Sequence, residues 1–411
     1  MKTLYFKLRA IGVTWLLRLL PRNQPVVFAG PGSSLELCRQ VALLGYRKVL
    51  IVTDAFLAGS GLLNDIKNAL NKAGVEHVIY EGIEPDPRFE QVVAGEEVLA
   101  GSSCQAVIGI GGGSVLDAAK LIALLHNNPG DLAFYDGIQK AKKPGLPLFA
   151  IPTTAGTGSE TTPVSVITDS ATHRKIAVAD GKLVPHYVAL DANLTRTLPP
   201  RITAATGMDA LTHAVESWLS TASTPATRDM AAGAARLIFD HLPRAYRDGG
   251  DVNAREAMLM ASFHAGLAFG RTSVGYAHAI AHQLGRICGT PHGEANAMVL
   301  PQVLAAYGKA LYPDLAALAR QIGLASGASS DEAAAKTLID RILALRIELA
   351  MPLRPDGLEA DAVPEIVKAA VRETGDLYPV PRYLRADELS RIVDDLLSPL
   401  EPDAPPVGAA Q

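Results

Sequence analysis

QAVIGIGGGSVLDAAK, residues 105–120, joins a short apolar run to a glycine cluster and then to a helical pattern. A run this apolar suits a strand of a parallel sheet covered on both faces. Glycines at the turn let backbone N–H groups approach a pyrophosphate, and the N-terminus of the following helix adds a favourable dipole. The string is not a full GxGxxG fingerprint, because Ser114 stands where the third glycine would fall, and it lacks the Gly-Lys-Ser/Thr ending of a P-loop. Strand, phosphate cradle and helix in succession point to a wound α/β sheet that binds a nucleotide; the alternative reading of the glycines is a plain tight turn.

The same alternation extends to either side. KVLIVTD (48–54), VEHVIY (75–80), LPLFAIPT (147–154) and YVALD (187–191) read as further strands between helical stretches. Residues 24–195 are therefore expected to form an α/β dinucleotide-binding domain with a mainly parallel sheet. After Leu198, Pro199 and Pro200 the chain becomes alanine-rich with helical periodicity, and no run of comparable strand character occurs before Leu397. Residues 196–397 are expected to be an all-helical, metal-binding domain. The Pro- and Ala-rich stretch 398–411 reads as a flexible tail.

Residues 1–23 read as an extension containing a helix. Leu4, Leu8, Ile11, Trp15 and Leu19 share one stripe, and Lys2, Lys7, Arg9, Arg18 and Arg22 meet no acid before Glu36. Packing of that helix on its own domain is favoured over weak contact of residues 1–20 with an anionic membrane surface, because Phe6, Val13, Leu17 and Leu20 lie off the stripe. Arg18 and Pro21 interrupt the apolar run, which argues against a secretion signal, and the run is too short to span a bilayer.

The 411 residues are 48% hydrophobic and 19% charged, enough chain for two domains with their own cores. Forty-two acids against 38 bases leave no basic excess to hold a phosphate backbone, so no nucleic-acid partner is expected. Cys38, Cys104 and Cys288 lie far apart without a CxxC pair, which offers no thiolate zinc site and suits a reducing cytoplasm.

Asp54 ends the strand KVLIVTD. A carboxylate there can accept hydrogen bonds from an adenine-ribose diol and repel a 2′-phosphate, favouring NAD over NADP, although a strand-end Asp also serves as a helix N-cap. PTTAGTGSE (152–160) ends another strand with hydroxyls and glycines suited to a second part of the same ligand, or to a structural turn.

The sharpest constellation is GMDALTHAVE (207–216) followed by GYAHAIAHQLGRICGTPHGEAN (275–296). Asp209 and His213 stand one helical turn apart on one face; His278 and His282 repeat the spacing, and His292 follows in a Pro-His-Gly turn. One carboxylate with several imidazoles suits Fe(II), Zn(II) or a similar divalent ion. Spacing leaves open whether His278 or His282 is the ligand. Glu216, a turn after His213, reads more readily as a solvated helix residue than as an orienter of a ligand. His241 and His264 read as structural.

On GGGSVLDAAK, PTTAGTGSE, VSVITD, GMDALTHAVE and HAIAHQLGRICGTPHG, in that order and spacing from about Pro25 into the 380s, the sequence resembles the iron-containing (group III) alcohol dehydrogenase family. The resemblance implies a dehydroquinate-synthase-like fold: a wound α/β domain, an all-α C-terminal domain and an active site in the cleft between them. It implies Asp209, His213, His278 and His292 as metal ligands, with Fe(II) preferred to Zn(II), and His282 as a catalytic non-ligand near the nicotinamide. Contacts to NAD are implied for Asp54, Gly111, Gly112, Gly113, Ser114, Asp117, Thr153, Thr154, Thr157 and Lys175.

The expected activity is hydride transfer between NAD(H) and a small alcohol or aldehyde, by a cytoplasmic homodimer or larger homo-oligomer. Phe269, Pro163 and Val164 hint at a modest aliphatic or aromatic substrate. The alternatives are a glycerol-dehydrogenase-like enzyme, a lyase of the dehydroquinate synthase type and a non-catalytic nucleotide-binding protein. The lyase requires basic residues for an anionic substrate, and the stretch 258–298 has only Arg271 and Arg286. Val380, Pro381 and Arg382 stand where the family often shows Asn-Pro-Arg, a departure on the substrate side.

Overall fold

A computed structural model describes residues 23–171 and 174–397. The helix expected within residues 1–20 and the tail from 398 lie outside the described residues.

The first half carries strands β1 (Val26–Ala29), β2 (Lys48–Val52), β3 (Glu76–Tyr80), β4 (Ala106–Gly111), β5 (Gly137–Ile138), β6 (Leu148–Pro152), β7 (Val164–Asp169), β8 (Arg174–Ala179) and β9 (Tyr187–Leu190). Between them run α1 (Ser33–Leu43), α2 (Ala55–Gly59), α3 (Asn64–Lys72), α4 (Phe89–Ser102) and α5 (Gly113–Asn127). The five apolar runs form β2, β3, β4, β6 and β9. With β1 they make a parallel six-stranded sheet in the order β1-β9-β6-β4-β2-β3. Every residue of the central strand β4 is buried, which is why its sequence can dispense with polar alternation.

Two features lack a strong signal in the sequence. Strand β1 is a largely exposed edge strand of only four residues, VVFA, too short an apolar run to stand out. VSVITD forms β7, which pairs antiparallel with β8 from Val164 opposite Ala179 to Asp169 opposite Arg174, and β5 completes a small second sheet.

The topology decides where a ligand can sit. From β2 the chain moves outward to β3, then returns to the other side of β2 as β4 and continues to β6 and β9. The reversal between β2 and β4 opens a crevice at their carboxyl ends. Asp54 follows β2, the glycine cluster follows β4, and the hydroxyl-rich loop follows β6.

The second half comprises α6 (Pro200–Leu219), α7 (Pro225–Arg247), α8 (Val252–Thr272), α9 (Tyr276–Cys288), α10 (His292–Tyr307), α11 (Tyr312–Gln321), α12 (Asp331–Glu348), α13 (Val363–Leu377) and α14 (Ala386–Asp394). Among the described residues no strand follows β9, and no helix is long and apolar enough to cross a membrane. Pro200 opens α6 at a position where the missing N–H costs nothing. From Gly207 to Leu219 that helix is buried without interruption, Ala210, Leu211, Ala214 and Val215 packing among Ala231, Ala235 and Ile238 of α7.

Small residues hold the two halves together. Gly158 adopts φ +60°, and a Cβ on it would lie 2.6 Å from the Cα of Gly266 in α8. A Cβ on Gly156 would lie 2.7 Å from the carbonyl oxygen of Thr206 in α6. The hydroxyl-rich loop is thereby pressed, backbone on backbone, against the two helices that wall the cleft.

Candidate active site

On the nucleotide side, Gly111, Gly112, Gly113 and Ser114 turn the chain from β4 into α5, whose N-cap Gly112 supplies no side-chain cap. A Cβ on Gly111 would fall 2.6 Å from Val115, and one on Gly113 would fall 2.7 Å from Thr157. These two glycines are needed for the turn to pack on its own helix and on the hydroxyl loop. Gly112 is freer, with Thr154 at 3.4 Å.

A second glycine loop, Gly30–Ser34, also joins a strand end to a helix N-terminus, at α1, and the sequence reading passed over it. There the carboxylate of Asp191 accepts from Gly32 N–H at 3.0 Å, Ser34 N–H at 3.3 Å and Ser34 Oγ at 2.6 Å. An internal carboxylate takes the place an anionic ligand would take, whereas the first turn of α5 carries no side-chain cap.

The other expected cofactor residues are distributed around this turn. Asp54 caps α2, accepting from Leu57 N–H at 2.8 Å through Oδ1 alone. Thr153 is buried and Thr154 and Thr157 are half-buried in the loop after β6. Asp117 braces three elements: it accepts from Ser159 Oγ at 2.5 Å and Val166 N–H at 2.9 Å, with Lys120 Nζ at 3.4 Å. Lys120 is fully buried and donates to Thr162 Oγ1 and the Val164 carbonyl. Nearby, burial pushes the Glu160 carboxyl up to about 7 against the opposing charge of Lys120. Lys175 lies exposed on β8 in an ion pair with Asp86 at 2.8 Å.

On the metal side, α6 carries Asp209 and His213, α9 carries His278 and His282, and His292 opens α10. Asp209, His278 and His292 each bring a potential ligand atom within 4.8 Å of the other two. Asp209 Oδ1 lies 3.3 Å from His292 Nε2 and 3.6 Å from His278 Nε2. Two donors sharing one tetrahedral ion at ~2.1 Å stand ~3.4 Å apart, so the spacing suits a single divalent cation. His213 lies beside this trio, its ring stacked 4.0 Å from Phe269 and 4.5 Å from His278.

The chemistry of the donors agrees with the spacing. His213 Nδ1 and His278 Nε2 are buried without a hydrogen-bond partner among the described residues. Orphaned atoms of that kind cost about 1–3 kcal/mol each, a cost that a shared cation would relieve. Burial drives the His213 imidazole down to about 3, so it is a neutral ring with a lone pair to offer. Although burial opposes its ionisation, Asp209 is held well below the usual carboxylate range by the surrounding imidazoles. Burial also opposes the charging of His278, but the carboxylates of Asp209 and Glu216 lift it to about 9.

The structure bears on two readings from spacing. His278 faces Asp209, whereas His282 lies outside the trio with its ring stacked on His292 at 5.3 Å and its Nδ1 2.7 Å from Glu373 Oε1. The solvated reading of Glu216 is wrong: α6 is enclosed along this stretch, Glu216 is buried, and its Oε2 lies 2.6 Å from His278 Nδ1. His241 and His264 stay outside the trio.

Three residues escaped the sequence reading. Asn296, one turn after His292, donates through Nδ2 to Asp209 Oδ1 at 2.8 Å; its spacing from His292 was a usable signal. Glu373 and Tyr378 join through a 2.6 Å hydrogen bond behind His282. Nothing in the sequence around α13 marks them.

Comparison with known proteins agrees with this geometry. The chain matches the family description "Iron-containing alcohol dehydrogenase" over residues 24–192 and "Fe-containing alcohol dehydrogenase family, C-terminal" over 203–397. Alcohol dehydrogenase 4 of Schizosaccharomyces pombe is 41% identical over 320 residues, covering 78% of this chain and 75% of that protein. The NAD-dependent methanol dehydrogenase of Bacillus methanolicus is 41% identical over 281 residues, 68% of this chain and 74% of its own. The crystal structure of a 1,3-propanediol oxidoreductase superposes with a TM-score of 0.88 at 34% identity, covering 92% of this chain and all of the other. Sheet and helical half thus recur together in proteins of one kind, and the chain belongs to the iron-containing alcohol dehydrogenase family as an enzyme of that type.

Proposed function

We propose that this enzyme transfers hydride between NAD(H) and a small alcohol or aldehyde, using one divalent ion, Fe(II) in preference to Zn(II), held by Asp209, His213, His278 and His292. The observation that carries the reading is the convergence of buried Asp209 and His278 with the more exposed His292, with unpartnered ring nitrogens on His213 and His278. A divalent ion there would supply Lewis acidity toward the substrate oxygen, and NAD would accept or deliver the hydride.

The chain's own residues do the rest. The uncapped first turn of α5, from Gly111 to Ser114, binds the pyrophosphate through backbone N–H groups. Asp54 has its Oδ2 for the ribose diol, and the hydroxyls of Thr153, Thr154 and Thr157 orient the nicotinamide half, with Lys175 at the edge. Asp117 keeps its contact with Ser159 and so holds the hydroxyl loop against α5. Phe269, stacked on His213, offers an apolar wall that favours a short carbon chain. His282, tied at Nδ1 to Glu373, uses Nε2 to take or return the proton of the hydroxyl.

The relative named as an NAD-dependent methanol dehydrogenase supports both the cofactor and a small substrate. We further propose a homodimer or larger homo-oligomer in a reducing cytoplasm, in keeping with three free cysteines. The test is a panel of alcohols and aldehydes with NAD(H) and NADP(H) on the Fe(II)- or Zn(II)-loaded protein, alongside elemental analysis and light scattering. NAD-linked turnover with one ion per chain is expected; bound nucleotide without turnover across the panel would instead support a non-catalytic nucleotide-binding protein.

A further inference from the structure

Glu216 presents one buried carboxylate to three donors of a different helix. Its Oε2 accepts from Gly275 N–H at 2.7 Å and faces His278 Nδ1 at 2.6 Å, while Oε1 accepts from Ala277 N–H at 2.7 Å. Gly275 is the N-cap of α9 and brings no side chain to cap it. A Cβ on Gly275 would lie 2.8 Å from Glu216 Oε1, so the glycine is what lets the carboxylate approach. The first turn of α9 is therefore capped by α6, with a negative charge at the end of the helix dipole that favours it.

The same carboxylate governs His278. An ionised acid offers only acceptors, so the proton shared with it must sit on Nδ1 of His278, and once the ring is neutral Nε2, 3.6 Å from Asp209 Oδ1, is the nitrogen left with a lone pair. Glutamine cannot imitate this arrangement. Placed at Oε1, its amide nitrogen would confront Ala277 N–H; placed at Oε2, it would confront both Gly275 N–H and His278 Nδ1 and force the opposite tautomer on the ring.

We propose that Glu216 is a positioning residue that builds the metal site before any ion arrives, by locking α9 to α6 and holding His278 in the Nδ1–H tautomer. The proposal rests on the reading of Asp209, His213, His278 and His292 as ligands.

The experiment uses the full-length chain stripped of metal. Zn(II) affinity is measured by competition with a chelator, ring tautomers by 15N spectra of protein labelled at histidine at a pH high enough that His278 is neutral, and the melting temperature is recorded in parallel. Wild type should bind one Zn(II) and show His278 as the Nδ1–H form. E216Q should bind Zn(II) about 10- to 100-fold more weakly, because a neutral amide either clashes with Ala277 N–H or turns His278 to the Nε2–H form, while NADH binding persists as evidence of folding. A purely structural cap would lower the melting temperature of E216Q and leave Zn(II) affinity within about threefold, and that result overturns the proposal. If E216Q fails to fold, the wild-type spectrum decides: an Nε2–H form of His278 is equally fatal to it. A wild type that binds no Zn(II) overturns the ligand reading itself, an outcome distinct from unchanged affinity in E216Q.

Discussion

His278 and His282 stand one turn apart on α9, each with Nδ1 held by a glutamate, at 2.6 Å by Glu216 and at 2.7 Å by Glu373, yet their surroundings are opposite. The side chain of His278 is 2% exposed and its Nε2 faces Asp209. That of His282 is 35% exposed and stacks on His292. Their glutamates differ in the same sense. Glu216 is spent on the backbone of α9, whereas Glu373 takes its other hydrogen bonds from the Tyr378 hydroxyl and Gln283 Nε2. Burial opposes the ionisation of Glu373, but its partners, His282 foremost, keep it below the usual carboxylate range. The lesson is that spacing and partner type do not assign a role to a histidine. The atom opposite Nε2 does: a nitrogen facing the buried Asp209 carboxylate, as in His278 and the more exposed His292, suits a ligand, and one turned away from it suits proton exchange.

The comparison breaks most visibly at the buried member. His278→Ala and His292→Ala should lose the ion and lower kcat/KM by about 10⁴-fold, the several kcal/mol that Lewis-acid assistance supplies. Elemental analysis beside steady-state kinetics checks this, and full occupancy in either variant would contradict the ligand set.

A smaller effect belongs to the exposed member. His282→Ala should keep wild-type metal content and NADH binding while kcat falls about 10²- to 10³-fold, the range of lost acid–base assistance. A solvent isotope effect on kcat should change with it. Loss of metal in this variant would mean that the two histidines have been given each other's roles.

Behind His282, Tyr378→Phe removes one donor to Glu373 and leaves the carboxylate in place. We expect about a tenfold fall in kcat with KM and metal content unchanged, the scale of an outer partner. A change confined to KM would instead make Tyr378 part of the substrate wall.

The mildest test leaves both histidines untouched. Asp54→Gly removes the cap of α2 and the proposed ribose contact, so the ratio of kcat/KM for NADH over NADPH should fall by about tenfold while metal content stays constant. Wild-type preference for NADPH would sink the assignment of Asp54.

Much of this molecule is legible in its sequence. The runs at 48–54, 105–110, 147–154 and 187–191 became strands because their apolar stretches are tolerated only where both faces are covered, and the sheet covers them. VEHVIY at 75–80, broken by Glu76 and His77, instead formed the half-buried edge strand β3. VSVITD was harder: its β7 has one face partly open, and its pairing with β8 forms a second sheet that the parallel pattern does not foreshadow. Asn296 was legible at one turn from His292. Glu373 was not, because its partner His282 lies 91 residues away.

By itself the sequence determined the α/β-then-helical order, the strand–glycine–helix turn at 105–120 and the donor types gathered on two short motifs. Each is a local property, written in the periodicity of one strand or one helix face. Only the tertiary structure decided which of two equivalent histidines faces Asp209, that Glu216 is enclosed, and that Asp191 fills one glycine loop while α5 keeps its first turn uncapped. Those outcomes depend on partners 62 residues distant for Glu216 and His278, and 159 for Asp191 and Gly32. A helix face records its own spacing, whereas the burial that turns a carboxylate into a cap, or an imidazole into a ligand, is supplied by whichever element packs against it.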